Sequence, residues 1–165
     1  MKSIVAVDNM WGIGKNNNLL FHLKADMKHF VENTLGKVVV MGSNTLLSFP
    51  NAAPLKNRTN IVLWPGGKRD DLILVESLDA LLNELKKYNS DDIYVIGGAM
   101  MYHTMLPYCD TAIITKVFAC GDAVVFYDNL DLLPNWKLTS TEDPIMDGDL
   151  KIQFCTYTNT SPLAF

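Results

Sequence analysis

The stretch Ile93-Tyr94-Val95-Ile96-Gly97-Gly98-Ala99-Met100-Met101-Tyr102 decides the fold. Its first four residues are all apolar and three are β-branched, which is typical of a strand that is covered on both faces. The two glycines that follow mark a tight turn, and residues 99–106 then have a helical pattern that ends at Pro107. A buried strand that leads through glycine into a helix is the repeating unit of a parallel α/β sheet.

The same alternation of short apolar runs and helical patterns extends along the whole chain. The runs that predict strands are residues 3–7, 37–41, 60–64, 72–75, 93–96 and 111–115. The patterns that predict helices are residues 26–34, residues 78–85 after the capping residue Ser77, and residues 99–106. Two more alternating segments, 136–142 and 150–159, are joined by a hairpin-like turn segment at 143–149. We therefore predict a mostly parallel, helix-covered sheet with an antiparallel C-terminal ending.

Composition narrows the class of protein before any motif is considered. The chain has 165 residues, of which 48% are hydrophobic and 19% charged, and this fits one domain with a substantial core. The net charge of −4 disfavours non-specific binding to nucleic acid or to an anionic membrane. No apolar run approaches the roughly 20 residues that span a bilayer. The three cysteines form no CxxC pair, which favours a reduced, cytoplasmic chain.

Asp26 is the first candidate for chemistry, because it lies at the start of a predicted helix, one turn after the apolar stretch Leu19-Leu20-Phe21-His22-Leu23. An acid at this place commonly does no more than interact with the positive end of the helix dipole. The functional alternative is a partly buried carboxylate that holds a cationic or protonatable ring. The residue by itself does not distinguish the two.

Glycines at strand ends suggest a second kind of site. Gly97-Gly98 and Gly42-Ser43-Asn44-Thr45 each follow a predicted strand and precede a helix, where backbone N–H groups can approach a phosphate. The GxGxxG spacing of the usual dinucleotide site is missing. Two such junctions in one small sheet nevertheless favour an extended anionic ligand.

The remaining motifs exclude several classes of enzyme. Arg58 ends a proline-containing loop, and it is either a solvated surface charge or a bidentate partner for a ligand carboxylate. The three histidines lack metal-ligand spacing, so we expect no metal site. There is no GxSxG, no P-loop and no Cys/His constellation, which disfavours hydrolases and kinases.

Taken in order, these segments resemble the bacterial dihydrofolate reductase family over essentially the whole chain. Asp26 and Phe30 match the family's L-P-W-x-L-P-x-D-x-x-x-F, and later segments match V-M-G-R-x-T, P-L-x-x-R-x-N-I-V-L and I-G-G-x-x-x-Y. The matching segments are residues 4–8, 12–15, 20–30, 40–45, 54–63 and 95–102, with 114–116 and 121–122 at the expected distances. Six weak motifs in the right order are together highly specific.

The resemblance implies a three-layer α/β domain, residues 1–165, with a mostly parallel eight-stranded sheet and an antiparallel C-terminal strand. It implies NADPH-dependent reduction of 7,8-dihydrofolate to 5,6,7,8-tetrahydrofolate, with hydride to C6 and a proton to N5, supplying one-carbon metabolism. Antifolate-like molecules would bind as well, and we expect a monomer. The catalytic residues would be Asp26, its hydrogen-bonding partner Thr115, and Phe21.

Substrate contacts follow from the resemblance residue by residue. Ile4, Val5, Ala6 and Ile96 would line the pterin pocket, and Arg58 would pair with the glutamate carboxylate. The other implied substrate residues are Met27, Phe30, Phe49, Leu55 and Tyr102, of which Phe30, Phe49 and Leu55 would enclose the p-aminobenzoyl ring.

Cofactor contacts are implied in the same way. Gly97 and Gly98 would bring the backbone against NADPH through a non-proline cis peptide, residues 42–45 would contact the pyrophosphate, and the loop 13–19 would close over the nicotinamide. The implied cofactor residues are Ala6, Ile13, Gly14, Asn18, Leu19, Gly42, Ser43, Asn44, Thr45, Leu63, Trp64, Ile96, Gly97, Gly98, Ala99, Met100, Tyr102 and Asp122.

Departures from the family pattern concentrate on the cofactor side. Ser43, Met100 and Trp64 replace residues with which the family holds the 2′-phosphate of NADPH, and Lys68 and Arg69 are candidates to substitute for them. Phe21 stands where the family has tryptophan. These changes leave a non-catalytic ligand-binding relative as one alternative. A reductase of another pyrimidine or pterin-like ring is a second, although it would not need both Asp26 and Arg58.

Overall fold

A computed structural model describes residues 1–16 and 18–165. The strands are β1 (Lys2–Val7), β2 (Gly12–Lys15), β3 (Asn18–Leu19), β4 (Val38–Gly42), β5 (Thr59–Leu63), β6 (Ile73–Val75), β7 (Ile93–Gly97), β8 (Thr111–Val117), β9 (Val125–Phe126), β10 (Trp136–Thr141), β11 (Ile145–Asp147) and β12 (Leu150–Asn159). The helices are α1 (Lys24–Thr34), α2 (Ser43–Ser48), α3 (Leu78–Leu85) and α4 (Ala99–Met105).

The main sheet confirms the predicted topology. Its strands follow the order β10-β12-β8-β1-β7-β4-β5-β6, and neighbours from β8 to β6 are parallel. Strand β12 runs antiparallel to both β8 and β10, which gives the antiparallel C-terminal ending. The short β11 pairs with β12 beside this path of eight strands.

Both faces of the parallel strands are covered, as the continuous apolar runs predicted. Val38 and Val40 of β4 belong to one core cluster, together with the fully buried Leu81 and Leu85 of α3. Met41, like Val39, belongs to a second cluster on the opposite face, which α2 also enters. Because successive strand residues point to opposite faces, this division places β4 in the middle layer of three.

Two predicted connections contain regular structure instead. No element was predicted between the strand at 3–7 and the helix at 26–34, but β2 and β3 pair there, and β2 also pairs with β9 to complete a small sheet. The expected turn segment 143–149 contains β11. In each case the strands are two to four residues long, too short for a periodic signal, and their pairing comes from neighbours in space.

The parallel strands bring several chain segments to one edge of the sheet. β1, β4, β5 and β7 all point the same way, so their carboxyl ends lead into Asp8, Ser43, Trp64 and Gly98 at that edge. Crevices at the carboxyl ends of parallel strands are where α/β sheets bind ligands. In the part of the chain that the structure describes, no helix is long and apolar enough to cross a membrane.

Candidate functional site

The Asp26 carboxyl lies in the first turn of α1 and is partly buried. Burial raises the pKa of Asp26 above its ordinary value, and a hydrogen bond with the Thr115 side chain acts in the opposite direction. The charge of His29 also lowers this pKa, whereas the charge of Asp147 raises it. Asp147 itself accepts a hydrogen bond from the Ala25 N–H at 2.8 Å, which attaches the start of α1 to β11. The site therefore holds a carboxyl group that is partly shielded from water and that forms no salt bridge with residues 1–16 or 18–165.

Thr115 supplies the polar side chain beside this carboxyl. It is 2% exposed on β8, where it lies opposite Ala6 of β1 and Phe154 of β12. The structure thus brings together Asp26 and Thr115, which are 89 residues apart in sequence, and sets Ala6 next to them. A hydroxyl and a carboxyl in a dry crevice are able to bind a flat ring that carries N–H donors.

Tyr102 forms part of the wall between the two halves of the crevice. Its hydroxyl donates a hydrogen bond to the carbonyl oxygen of Ile4 at 2.7 Å, and the side chain is 7% exposed. Burial raises the pKa of Tyr102 well above its usual range, with smaller contributions from Tyr127 and Asp26. The phenol therefore stays neutral and connects α4 to β1, and its predicted contacts with substrate and cofactor remain predictions.

Apolar side chains and one arginine continue the site away from Asp26. Phe49 and Leu55 pack against the cluster of Val39, Met41, Leu46 and Val62. Phe30 on α1 is partly buried, and Met27 is 51% exposed.

Arg58 is held in place by its own neighbours. Its Nε donates to Thr34 Oγ1 at 3.3 Å, and Nη1 donates to the Lys56 carbonyl at 2.9 Å. Partial burial lowers the pKa of Arg58, although a guanidinium remains charged at all ordinary pH values. The loop before Arg58 is closed by Asn60, whose side chain both accepts from the Leu55 N–H and donates to the Leu55 carbonyl, each at 2.9 Å. Sequence analysis did not single out Asn60, which orients the arginine loop.

On the other side of the crevice the backbone itself forms the cradle. The peptide between Gly97 and Gly98 is cis, as expected, and Gly97 has a φ of 137°. A Cβ at Gly97 would lie 3.0 Å from Thr45 Oγ1, and one at Gly42 would lie 3.3 Å from Met101 Cγ. Side chains at either glycine would fill the space between α2 and α4. Because these positions are glycines, the backbone at the ends of β4 and β7 can approach a ligand closely, as binding of a dinucleotide pyrophosphate would require.

Two side chains that follow β5, Trp64 and Arg69, already contact other protein groups. Trp64 covers the following turn so closely that a Cβ at Gly67 would lie 2.5 Å from its Cδ2. Arg69 donates two hydrogen bonds to Asp71, at 2.8 and 2.7 Å, and one to the Ala52 carbonyl at 2.9 Å. Lys68 is exposed, and no salt bridge of residues 1–16 and 18–165 includes it.

The small sheet brings the remaining predicted cofactor residues to the rim of the crevice. Ile13 and Gly14 lie on β2 and are partly buried, whereas Asn18 and Leu19 of β3 are exposed. Asp122 is exposed at a φ of 53°. Residue 17 of the predicted closing loop lies outside the described residues. Of the remaining predicted residues, Met100 is 72% exposed, Val5, Ser43, Leu63, Ile96 and Ala99 are partly buried, and Asn44 is exposed.

Asp8 anchors this rim, and the sequence analysis did not identify it. The carboxylate is 4% exposed and accepts backbone N–H donors from Met10 at 2.9 Å, Gly12 at 2.7 Å and Gly121 at 2.9 Å. Burial acts to raise the pKa of Asp8, but these three hydrogen bonds together lower it below its ordinary value. One carboxylate therefore joins β2 to the segment before β9.

Phe21 packs against the same segment. A Cβ at Gly121 would lie 2.9 Å from Leu20 Cδ1 and 3.1 Å from Phe21 Cζ, so both side chains rest on this glycine. The phenylalanine carries no N–H that could bind water or substrate. Its catalytic role remains a prediction.

Comparison with known proteins places this architecture in a family. A family model described as dihydrofolate reductase matches residues 1–159. A type 9 dihydrofolate reductase of Escherichia coli is 29% identical, covering 99% of this chain and 96% of its own length. The Bacillus subtilis dihydrofolate reductase is 34% identical, covering 87% and 84% respectively. The chain belongs to the dihydrofolate reductase family.

A solved structure agrees with this assignment. Dihydrofolate reductase from Enterococcus faecalis, complexed with NADP(H) and RAB-propyl, superposes with a TM-score of 0.85. The two chains are 27% identical, and the match covers 97% of this chain and 96% of the other. The likeness therefore extends over nearly the whole fold.

Proposed function

We propose that this chain reduces 7,8-dihydrofolate to 5,6,7,8-tetrahydrofolate with NADPH, within folate and one-carbon metabolism. The observation that carries the proposal is the partly buried Asp26 carboxyl, whose pKa is raised by burial and lowered by the neighbouring Thr115 side chain, in a member of the dihydrofolate reductase family. A carboxyl in this setting suits a pterin, whose amino group and ring nitrogen are donors on one edge. The alternative of a reductase for a ring without a carboxylate tail is disfavoured by Arg58.

The residues of the substrate half would hold and polarise the pterin. NADPH, when bound, supplies the hydride that C6 accepts. Ionised Asp26 stabilises the positive charge that develops on the ring as hydride arrives, and Thr115 keeps the carboxyl oriented. Ile4, Ala6 and Ile96 exclude water from the ring faces, which strengthens this electrostatic interaction. The proton reaches N5 from water, because the matched motifs contain no second acid.

The residues of the cofactor half would position the nicotinamide against the pterin. Gly97 and Gly98 leave room for the pyrophosphate beside α4, and Thr45 offers a hydroxyl at the same place. The strands β2 and β3 lie at the rim, where they would limit the entry of solvent. Holding two rings face to face supplies the proximity that a hydride transfer needs.

Arg58 would pair with the glutamate carboxylate of the substrate, flanked by Phe30, Phe49 and Leu55 around the p-aminobenzoyl ring. The same surfaces would take antifolate-like molecules. A single domain over residues 1–165, a monomeric state and a cytoplasmic location complete the proposal. The single domain rests on chain length, and the location rests on cysteine usage.

The test is loss of NADPH absorbance on mixing the purified chain with NADPH and dihydrofolate. We expect multiple turnovers in the wild type and a severe loss in Asp26→Asn. Tight binding of both ligands to wild-type protein without turnover would indicate the non-catalytic relative that Ser43, Met100 and Phe21 suggested. Turnover of an unrelated pyrimidine in preference to dihydrofolate would support the other alternative.

A further inference from the structure

The imidazole of His29 carries the buried polar atom that the proposed reaction does not explain. Among the side chains that the structure describes, its Nε2 is the buried nitrogen or oxygen left without a hydrogen-bond partner. Buried polar groups are nearly always paired, so an orphan of this kind calls for a reason. Fold stability does not explain the unpaired nitrogen, because an apolar ring of similar size would fill the same space without one.

The surroundings of His29 hold the ring beside the catalytic carboxyl. It follows Asp26 by three residues on α1, a spacing that places two side chains next to each other on one helix face. The ring stacks on Phe154, with centroids 4.0 Å apart and planes 23° from parallel. Phe154 lies opposite Thr115 in the pairing of β12 with β8, so both side chains are on the same face of the sheet.

These contacts form a closed circuit of four residues. The Thr115 side chain interacts with the Asp26 carboxyl, and Thr115 lies opposite Phe154. Phe154 stacks on His29, which is one turn along the helix from Asp26. We propose that His29 is a positioning residue for the reaction: held by Phe154 one helical turn from Asp26, its imidazole favours the ionised form of that carboxyl whenever the ring carries a proton. This inference rests on the proposed function.

The electrostatics of the surroundings agree in sign with this role. The charge of His29 lowers the pKa of Asp26, in opposition to burial. An imidazole is the side chain that ordinarily changes charge between pH 5 and 8, so its influence is itself dependent on pH. A neutral side chain at this position would leave burial opposed by Thr115 alone.

Other charged groups near His29 are few and identifiable. Asp147 of β11 faces Asp26 and raises its pKa. On α1, Lys28 and Glu32 form an exposed pair with each other at 3.8 Å. On β8, Lys116 follows Thr115 and therefore points to the opposite face of the sheet, where its Nζ lies over the rings of Trp11 and Tyr157.

The experiment compares two uncharged replacements. His29→Phe keeps a ring on Phe154, and His29→Gln keeps a polar side chain, but both remove the charge. The titration of the Asp26 carboxyl is followed by NMR on isotope-labelled aspartate, with its signal identified by its absence in Asp26→Asn. We expect the Asp26 midpoint to rise by about 0.5–1 pH unit in both variants, near the lower end of the effect of a neighbouring charge.

The matched control is His103→Gln, which removes an exposed histidine on α4 that pairs with Asp128. It leaves the Asp26 midpoint unchanged. The same shift should appear in the pH profile of kcat/KM for dihydrofolate. An unchanged Asp26 midpoint in the folded variants, or a shift in only one of the two, would overturn the role of the His29 charge.

The titration also separates this inference from the proposed reaction, because it requires no turnover. Absence of dihydrofolate reduction by the wild type, with the midpoint still shifted, would reject the reaction while supporting the electrostatic coupling of His29 to Asp26. If only His29→Phe fails to fold, the Gln variant decides the result.

Discussion

The substrate half and the cofactor half of the crevice are built from different kinds of groups. On the substrate side, the polar groups are side chains held by other side chains, as in Asp26 with Thr115 and Arg58 with Thr34. On the cofactor side, the cradle is backbone, kept open by Gly42, Gly97 and Gly98. The charged side chains nearest to it are exposed or paired with protein groups.

This difference indicates where each half is vulnerable. Removing a charge damages the substrate side, because each buried or half-buried charge has few neighbours that would compensate. Adding a Cβ damages the cofactor side, because the space between α2 and α4 is defined by the absence of side chains. The substitutions below separate the two halves in order of expected effect.

Asp26→Asn should cause the largest loss, about 10²–10³-fold in kcat at neutral pH, which is typical of removing one preorganised electrostatic contact. The amide keeps the shape of the carboxyl without its charge. The loss should shrink at low pH, where solvent protonates N5 unaided. Measurement of kcat against pH tests this, and NADPH affinity is the control because it should not change. A variant as active as the wild type at pH 7 would refute the assignment.

The same variant should be more stable than the wild type. Burial raises the pKa of Asp26 in the folded chain, so the stabilisation of the neutral carboxyl is complete below the unfolded pKa and is lost as pH rises through the folded pKa. Asparagine is neutral throughout. We therefore expect urea unfolding to give a higher free energy for the variant at neutral pH and equal values in strong acid. A less stable variant at neutral pH would contradict the direction of the pKa shift.

Arg58→Leu should weaken dihydrofolate binding by about 2 kcal/mol, roughly 30-fold, at the lower end for an ion pair because the arginine is only partly buried. A pterin that lacks the glutamate tail is the control substrate, and its KM should hardly change. NADPH affinity should stay the same. Equal losses for both substrates would mean that Arg58 acts on the loop containing Asn60 and not on the ligand.

Gly97→Ala should weaken NADPH binding roughly tenfold. Alanine is strained at a φ of 137°, at a cost of about 1–3 kcal/mol, and its Cβ would press on Thr45 Oγ1. Gly148→Ala is the matched control, since Gly148 also has a positive φ of 62° but nothing lies within 4 Å of the added carbon. Titration of NADPH into both variants should show the loss in the first alone.

Lys68→Ala should have a small effect, a drop of about fivefold or less in the preference for NADPH over NADH, as for an exposed charge pair. Arg69→Ala should change the preference less, because the guanidinium is already bonded to Asp71 and to the Ala52 carbonyl. Ratios of kcat/KM for the two cofactors test this. An undiminished preference in the double variant would show that neither residue binds the 2′-phosphate.

Sequence patterns predicted the elements whose signals are local. The β-branched runs gave the parallel strands within one or two residues, and Ser77 caps α3 through a hydrogen bond from the Ala80 N–H at 3.1 Å. The strands β2, β3 and β9 were missed because two to four residues carry no periodicity. The pairing of β2 with β9 joins residues more than 100 positions apart in the sequence, whereas β3 pairs with the neighbouring β2.

The amino-acid sequence alone determined the fold class, the family and the candidates Asp26, Thr115 and Arg58, because strand periodicity and motif spacing are properties of the linear chain. The tertiary structure decided the burial, the hydrogen-bond partners and therefore the charge states of these groups. Only folding buries Asp26 against Thr115, brings three backbone N–H donors to Asp8 and leaves the Nε2 of His29 unpaired. Burial and hydrogen-bond partners set charge states, and both arise from contacts between residues that lie far apart in sequence.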